Sequence, residues 1–187
     1  MKKTTLQKTY LIVLSGMFTA LTAAGAFLKI PFYPVPMTLQ SFFTILAGGM
    51  LPPRYALQSQ LAYLLLGLAG LPVFAHGGGL AYIFQPTFGY LLSLPVVAYF
   101  ISKTFACFPH RTFSQQVTVY LMANIFILLC GVVWLYLSIN VGLGKSISLK
   151  QALYGGAIIF LPGDVVKSVF AAFATNTIQK SLLRREE

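Results

Sequence analysis

Acid is nearly absent from this chain: three acidic residues occur in 187, and two of them, Glu186 and Glu187, close the sequence. The third, Asp164, stands in Leu161-Pro162-Gly163-Asp164-Val165-Val166-Lys167, inside an otherwise apolar stretch. Charge of either sign is scarce, at 9% of residues, where a soluble domain carries about 25%. With 57% hydrophobic residues and a mean hydropathy of +0.79, the composition is that of an integral membrane protein. No charged residue occurs from Tyr55 to Ser102, which leaves room for two crossings at about 20 residues each. The two cysteines, Cys107 and Cys130, have no paired spacing, so neither a disulfide nor a metal motif is expected. His76 and His110 lack ligand-spaced partners, so no metal site is expected there. One Asp, one Lys and two scattered His supply no nucleophile, base and orienting group together, which argues against an intramembrane enzyme. With no long hydrophilic stretch and no solenoid repeat, residues 1–187 read as a single polytopic membrane domain.

The formal charge of +10 does not point to nucleic acid, because the basic residues are distributed as a membrane topology would place them. Lys2, Lys3 and Lys8 open the chain, Arg54, Lys103 and Arg111 fall at alternate breaks between apolar runs, and Lys180, Arg184 and Arg185 come near the end. Such clustering in short loops marks the cytoplasmic side. The opposite loops hold only Lys29, Lys145 and Lys150. Both termini are therefore expected inside the cell, and the partner of the surface is membrane lipid. The first apolar run lacks a convincing cleavage site and reads as a retained helix rather than a signal peptide.

Apolar runs and breakers predict an all-α bundle of about six transmembrane helices. The first runs from Thr9 to Ile30 and ends at Pro31-Phe32-Tyr33-Pro34-Val35-Pro36, whose prolines forbid helix. The second starts near Thr38, a candidate N-cap, and stops before Pro52-Pro53-Arg54. The third covers Tyr55 to Leu68, and a breaker-rich loop follows through His76-Gly77-Gly78-Gly79. The fourth runs from Pro86 to Ser102, the fifth from Val117 to Ile139, and the sixth from Pro162 to Ser181. Gln151 to Phe160 is too short to span and reads as an interfacial or re-entrant helix.

This topology puts the Pro-rich loop, the Gly-rich loop and Asp164 at the outer side. Asp164 in a first helical turn has an ordinary explanation, since it caps free N–H groups and complements the helix dipole. Lys167, one turn deeper, has none: only Asp164 is available to pair with it. A buried acid and base in a spanning segment are a functional-site hypothesis by default. An apolar pocket with these two groups suits a urea-like or amide-like ring. Gly16, Ala20 and Ala24 recur every four residues on the first helix and permit close helix approach, either within the bundle or to a second membrane protein. Gly142-Leu143-Gly144-Lys145-Ser146 imitates part of a phosphate-binding loop, but Ile139 stands where the motif needs its first glycine, so no built-in ATPase is expected. No Gly-x-Ser-x-Gly turn accompanies the His76-Gly77-Gly78-Gly79 run, which excludes the lipase reading.

Four segments together, in order, resemble the BioY family of biotin-binding substrate subunits of energy-coupling factor transporters. They are Pro34-Val35-Pro36-Met37-Thr38-Leu39-Gln40, Gly70-Leu71-Pro72-Val73-Phe74-Ala75, Pro86-Thr87-x-Gly89-Tyr90-Leu91 and Pro162-Gly163-Asp164-x-x-Lys167. The resemblance implies a six-helix bundle in the bacterial cytoplasmic membrane that binds biotin near its outer face and needs no cofactor. It implies that Asp164 and Lys167 contact the biotin head group, and it draws Thr38, Gln40, Gly79, Gly89 and Tyr90 into the binding site. It further implies that Pro31 to Met37 form a lid. The stripe of Gly16, Ala20 and Ala24 would then meet a transmembrane coupling subunit linked to a pair of ATPases. Gln85 and Phe88 depart from the family pattern, so that Phe88 is expected either to narrow the site or to alter a helix contact. The biotin carboxylate is expected to reach outer-loop N–H groups such as those of Gly77 to Gly79. Competing readings are a substrate subunit for another vitamin, a proton-coupled secondary transporter using Asp164, and a structural subunit, the last of which leaves the Asp–Lys pair unexplained.

Overall fold

The computed structural model describes residues 5–142, 144 and 146–183. Lys2, Lys3, Lys145, Arg184, Arg185, Glu186 and Glu187, whose charges entered the topology above, lie outside the described residues, as does Leu143 of the phosphate-loop mimic.

Helix α1 (Thr5–Phe27) stops three residues short of the expected Ile30. Lys29–Ile30 (β1) instead pairs antiparallel with Met37–Thr38 (β2), Lys29 opposite Thr38 and Ile30 opposite Met37. The cause is local: a residue preceding proline is pushed out of the α region, and Ile30 precedes Pro31. Thr38 consequently lies in a strand rather than at an N-cap. Helix α2 (Gln40–Met50) begins without a side-chain cap, and the Thr38 hydroxyl donates to Gln40 Oε1 at 2.8 Å.

Pro52 and Pro53 break the chain before α3 (Pro53–Leu68). The loop beyond it turns through Gly70, Gly77 and Gly79 at φ of 108°, 111° and 98°, a region that favours glycine. A short 3₁₀ turn at Leu80–Phe84 leads into α4 (Phe88–Cys107). Helix α5 (Phe113–Leu137) starts earlier than Val117 because Thr112 and Gln115 form a reciprocal capping box. A second box, Ser148 with Gln151, starts the short α6 (Leu149–Gly156). A 3₁₀ turn at Ile158–Phe160 then runs into α7 (Leu161–Leu183).

Four helical runs are long and apolar enough to cross a membrane: Thr5–Phe27, Phe88–Cys107, Phe113–Gly142 and Leu149–Ser181. Helices α2 and α3 have 11 and 16 residues, which at about 1.5 Å per residue fall short of a hydrocarbon core of about 30 Å. Helix α2 packs on α1, α4 and α7, and α4 packs on α3 and α5. Small residues permit this closeness: a Cβ on Gly48 would stand 2.8 Å from Ile101 Cβ, and one on Gly49 would strike the Tyr120 hydroxyl.

Lipid gives helices no hydrophobic drive to associate, so polar contacts and tight packing must do it. Two buried polar ladders serve here. On α1, the Ser15 and Thr19 hydroxyls donate to the carbonyls of Tyr55 and Ser59 on α3 at 3.1 and 2.8 Å. Gln60 in turn accepts from Thr44 of α2 at 2.9 Å. Between α5 and α7, Gln116 donates to Asn176 at 2.8 Å, Tyr120 and Thr175 share a hydrogen bond of 2.7 Å, and Asn124 donates to Ser168 at 3.2 Å. Large apolar residues such as Leu65, Phe100, Met122 and Phe173 point outward.

Gly16, Ala20 and Ala24 all lie on the exposed face of α1, which removes the reading that they pack inside the bundle. A Cβ on Gly16 meets nothing within 4 Å, whereas one on Gly67 would run into the buried Phe74 ring. Gly67→Ala is therefore expected to lower stability by about 1–3 kcal/mol through overpacking. Gly16→Ala should leave it unchanged or raise it by up to about 1 kcal/mol through helix propensity. Thermal melts of the two variants in detergent check both.

Candidate functional site

At one end of the bundle the first turns of α2 and α7 meet α4, α5, the β1–β2 hairpin and the α3–α4 loop around a cavity of about 70 Å³. Its apolar walls come from Val35 and Met37 of the hairpin, Leu91 and Leu94 of α4, Ile127 and Leu128 of α5, and Phe160. Its polar groups are Thr38, Gln40, Ser41, Tyr82, Thr87, Tyr90, Asn124, Asp164 and Lys167.

Asp164 and Lys167 are 3% and 8% exposed. The Lys167 ammonium donates to Asp164 Oδ1 at 3.0 Å and to the Ser41 hydroxyl of α2 at 3.1 Å. Helix α7 fixes the pair, since residues three apart share a face. Asp164 is not a helix cap: α7 starts at Leu161, and the carboxylate bonds the lysine. Two desolvated charges are costly to bury, and removing one partner strands the other. The pair also supplies chemistry that the walls lack, namely an anionic acceptor beside a cationic donor.

Gln40 is held by both ends of its amide. It accepts from Thr38, and its Nε2 donates to the Tyr63 hydroxyl at 2.5 Å, which donates to the Val73 carbonyl at 3.0 Å. Tyr90 spans the cavity wall and donates to the Gly156 carbonyl at 2.6 Å. Tyr82 and Thr87 share a hydrogen bond of 3.1 Å. The structure thus brings Thr38, Gln40, Tyr90, Asp164 and Lys167 together at one cavity.

Gly79 and Gly89 lie elsewhere. Gly79 donates its N–H to the Gly67 carbonyl at 2.7 Å and starts the 3₁₀ turn, and Gly77 donates to the Phe74 carbonyl at 3.2 Å. These N–H groups are spent on the last turn of α3 and on the loop itself, and neither glycine borders the cavity. Gly89 packs face to face with α5, where a Cβ would collide with that of Trp134. Phe88 also meets Trp134, its ring centroid 5.5 Å away. Phe88 thus makes a contact between α4 and α5 and does not line the cavity.

The hairpin covers the cavity through two struts. The Lys29 ammonium donates to the Ala75 carbonyl of the α3–α4 loop at 2.7 Å, and the Phe32 ring packs edge-on against Phe160 at 6.1 Å. Burial, with Lys29 close by, holds the His76 imidazole below its ordinary range. Met37 reaches across the start of α7, and Gly163 makes room for it: a Cβ there would stand 2.8 Å from the Met37 methyl. A wider, open groove of about 870 Å³ lies between Tyr33-Pro34 and α6, but it contains neither Asp164 nor Lys167.

Sequence reading missed Ser41, Tyr82, Thr87 and Asn124. An amide in the middle of a long apolar helix was a usable signal for Asn124. Tyr82 and Thr87 lie where the chain is irregular and Ser41 in the first turn of α2, and only the fold shows that they turn inward.

Replacing Asp164 by Asn should cost about 3–5 kcal/mol of stability, because Lys167 is left buried without its partner. Adding Lys167→Met should restore most of that loss. Melting curves of the single and double variants in detergent measure the coupling.

The sequence model of the BioY family matches residues 1–184. The chain is 37% identical to the probable biotin transporter BioY of Lysinibacillus sphaericus, over 93% of this chain and 89% of that protein. It is 37% identical to the probable biotin transporter BioY of Pyrococcus horikoshii, over 90% and 95%. The biotin transporter BioY of Lactococcus lactis subsp. cremoris is 31% identical, over 93% of each. The fold matches the crystal structure of the S-component for biotin from an ECF-type ABC transporter with a TM-score of 0.82, at 30% identity and 95% coverage of both chains.

Proposed function

The chain belongs to the BioY family, and on that premise we propose that it captures biotin at the outer face of the bacterial cytoplasmic membrane and delivers it inward. It acts as the substrate-binding subunit of an energy-coupling factor transporter, not as an enzyme. The observation that carries this reading is the buried Asp164–Lys167 pair, the two charged groups on the wall of a cavity whose other lining residues are neutral. The biotin head group is a cyclic urea with two N–H donors and one carbonyl. Asp164 accepts an N–H, Lys167 donates to the carbonyl, and the apolar walls take the bicyclic body. Thr38, Gln40 and Tyr90 complete the wall, with their own hydrogen bonds holding them in place. Gly79 and Gly89 serve the site indirectly, by shaping the loop and by seating α4 on α5.

A cavity of about 70 Å³ holds a few waters at about 10–15 Å³ each, so biotin enters only when the hairpin lifts. The Lys29 and Phe32 contacts are the struts that such opening releases. In this reading α1 to α5 and α7 make six crossings with both termini inside, the short α2 and α3 among them. The shortfall of α2 is made up by the cavity and hairpin that stand above it. Because the sequence has no phosphate-binding loop, ATP-driven delivery requires separate ATPases reached through a coupling subunit. The exposed Gly16, Ala20 and Ala24 are where that subunit seats, since small residues allow close helix contact.

The test is biotin binding by the purified protein in detergent, with thiamine and riboflavin as controls. Selective biotin binding is expected. Asp164→Asn and Lys167→Met should each weaken it by roughly 10-fold to 100-fold, the scale of one charge-assisted hydrogen bond. If both variants bind biotin as the parent does, the pocket assignment is wrong. A separate arm changes Gly16, Ala20 and Ala24 to Leu. Binding in detergent should survive, and biotin uptake by cells carrying the complete transporter should fall.

A further inference from the structure

Asn124 is 1% exposed, borders the cavity, and carries a buried Oδ1 with no hydrogen-bond partner. Its orientation follows from its neighbour. The Ser168 hydroxyl lies 2.7 Å from the Asp164 carbonyl oxygen, a contact in which only the hydroxyl can donate. With its single proton committed there, Ser168 can only accept from Asn124, so Nδ2 is the atom 3.2 Å away. That leaves Oδ1 as an acceptor beside the first turns of α7, next to the Asp164–Lys167 pair. A buried acceptor without a donor is a standing cost to the fold. It persists in native proteins where function uses it.

We infer that Asn124 Oδ1 is a third recognition point, accepting one N–H of the bound cyclic urea while Asp164 takes the other. This rests on the proposed capture of biotin and adds a specificity-determining residue to it. A cyclic urea offers two donors and one acceptor in a fixed plane. Asp164 and Lys167 alone answer one donor and the acceptor. Asn124, locked by Ser168 on a different helix, supplies the missing acceptor without a second buried charge. A lactam or thioether ring with one N–H would leave Oδ1 unpaired and bind less well.

The competing reading is that Asn124 merely ties α5 to α7. The two are separated by measuring the affinity of the parent, Asn124→Leu and Ser168→Ala for biotin and for its N1′-methyl and N3′-methyl derivatives. Asn124→Leu is expected to weaken biotin roughly tenfold, the scale of one hydrogen bond. For one of the two methyl derivatives it should cause no further loss, because the N–H that Asn124 accepts is already gone. Ser168→Ala keeps Oδ1 and should bind biotin within about threefold of the parent, within the scatter of a lost neutral contact. Equal losses for biotin and for both derivatives, or a Ser168→Ala loss as large as that of Asn124→Leu, would overturn the assignment while leaving biotin capture intact. A folded parent that binds no biotin would overturn both. Should Asn124→Leu fail to fold, Asn124→Ala carries the same cycle.

Discussion

The structure depends on one buried ion pair. Asp164 and Lys167 sit one turn apart near the start of α7, and the lysine also reaches Ser41 on α2. In a bundle otherwise held by small residues and hydrogen bonds, this is the one place where desolvated charge is concentrated among the described residues. The placement of α2, its helix neighbours and the hairpin above it makes sense as an enclosure for that pair. Apolar walls raise the cost of both charges and equally strengthen whatever hydrogen bonds they make to a ligand. The same environment that makes the pair a liability in an empty site makes it selective in a filled one.

The rest of the bundle supplies rigidity to that enclosure. The α1–α3 ladder through Ser15, Thr19 and Thr22 and the α5–α7 ladder through Gln116, Tyr120 and Asn124 fix the helices in register without relying on apolar contact. The second ladder ends at the cavity, so the contact that orders the bundle also orders a recognition group. The opposite surface of α1 exposes Gly16, Ala20 and Ala24 among large apolar residues such as Ile12, Val13 and Met17. The cavity and the exposed stripe of α1 therefore lie on separate surfaces, as the proposed capture of a ligand and docking of a neighbouring helix require.

Much of this was legible in the sequence, for identifiable reasons. Prolines at Pro31 to Pro36 and at Pro52-Pro53 are unambiguous punctuation, and the lone Asp164 with Lys167 was conspicuous against an apolar background. The errors have local causes. The first apolar run extends to Ile30, yet the following proline places that residue in a strand. For α5 the sequence points to Val117, whereas the capping box at Thr112 and Gln115 starts the helix at Phe113. Gly79 lies in the loop beyond α3 and Gly89 against Trp134 of α5, both outside the cavity, a placement that residue type alone does not distinguish from ligand contact. Asn124 stands out as an amide within an apolar helix, but its role depends on its register against Ser168, 44 positions away in sequence, which only the fold shows.

The proposed grip of the Asp164–Lys167 pair on biotin includes a hydrogen bond from Lys167 to the urea carbonyl, and infrared spectroscopy addresses that bond directly. Biotin labelled with ¹³C at the ureido carbonyl would be measured free and bound to the protein. A downward shift of the carbonyl stretch on binding, largely lost in Lys167→Met, is the predicted result. A bound-state frequency equal to that in water, unchanged by Lys167→Met, would contradict it.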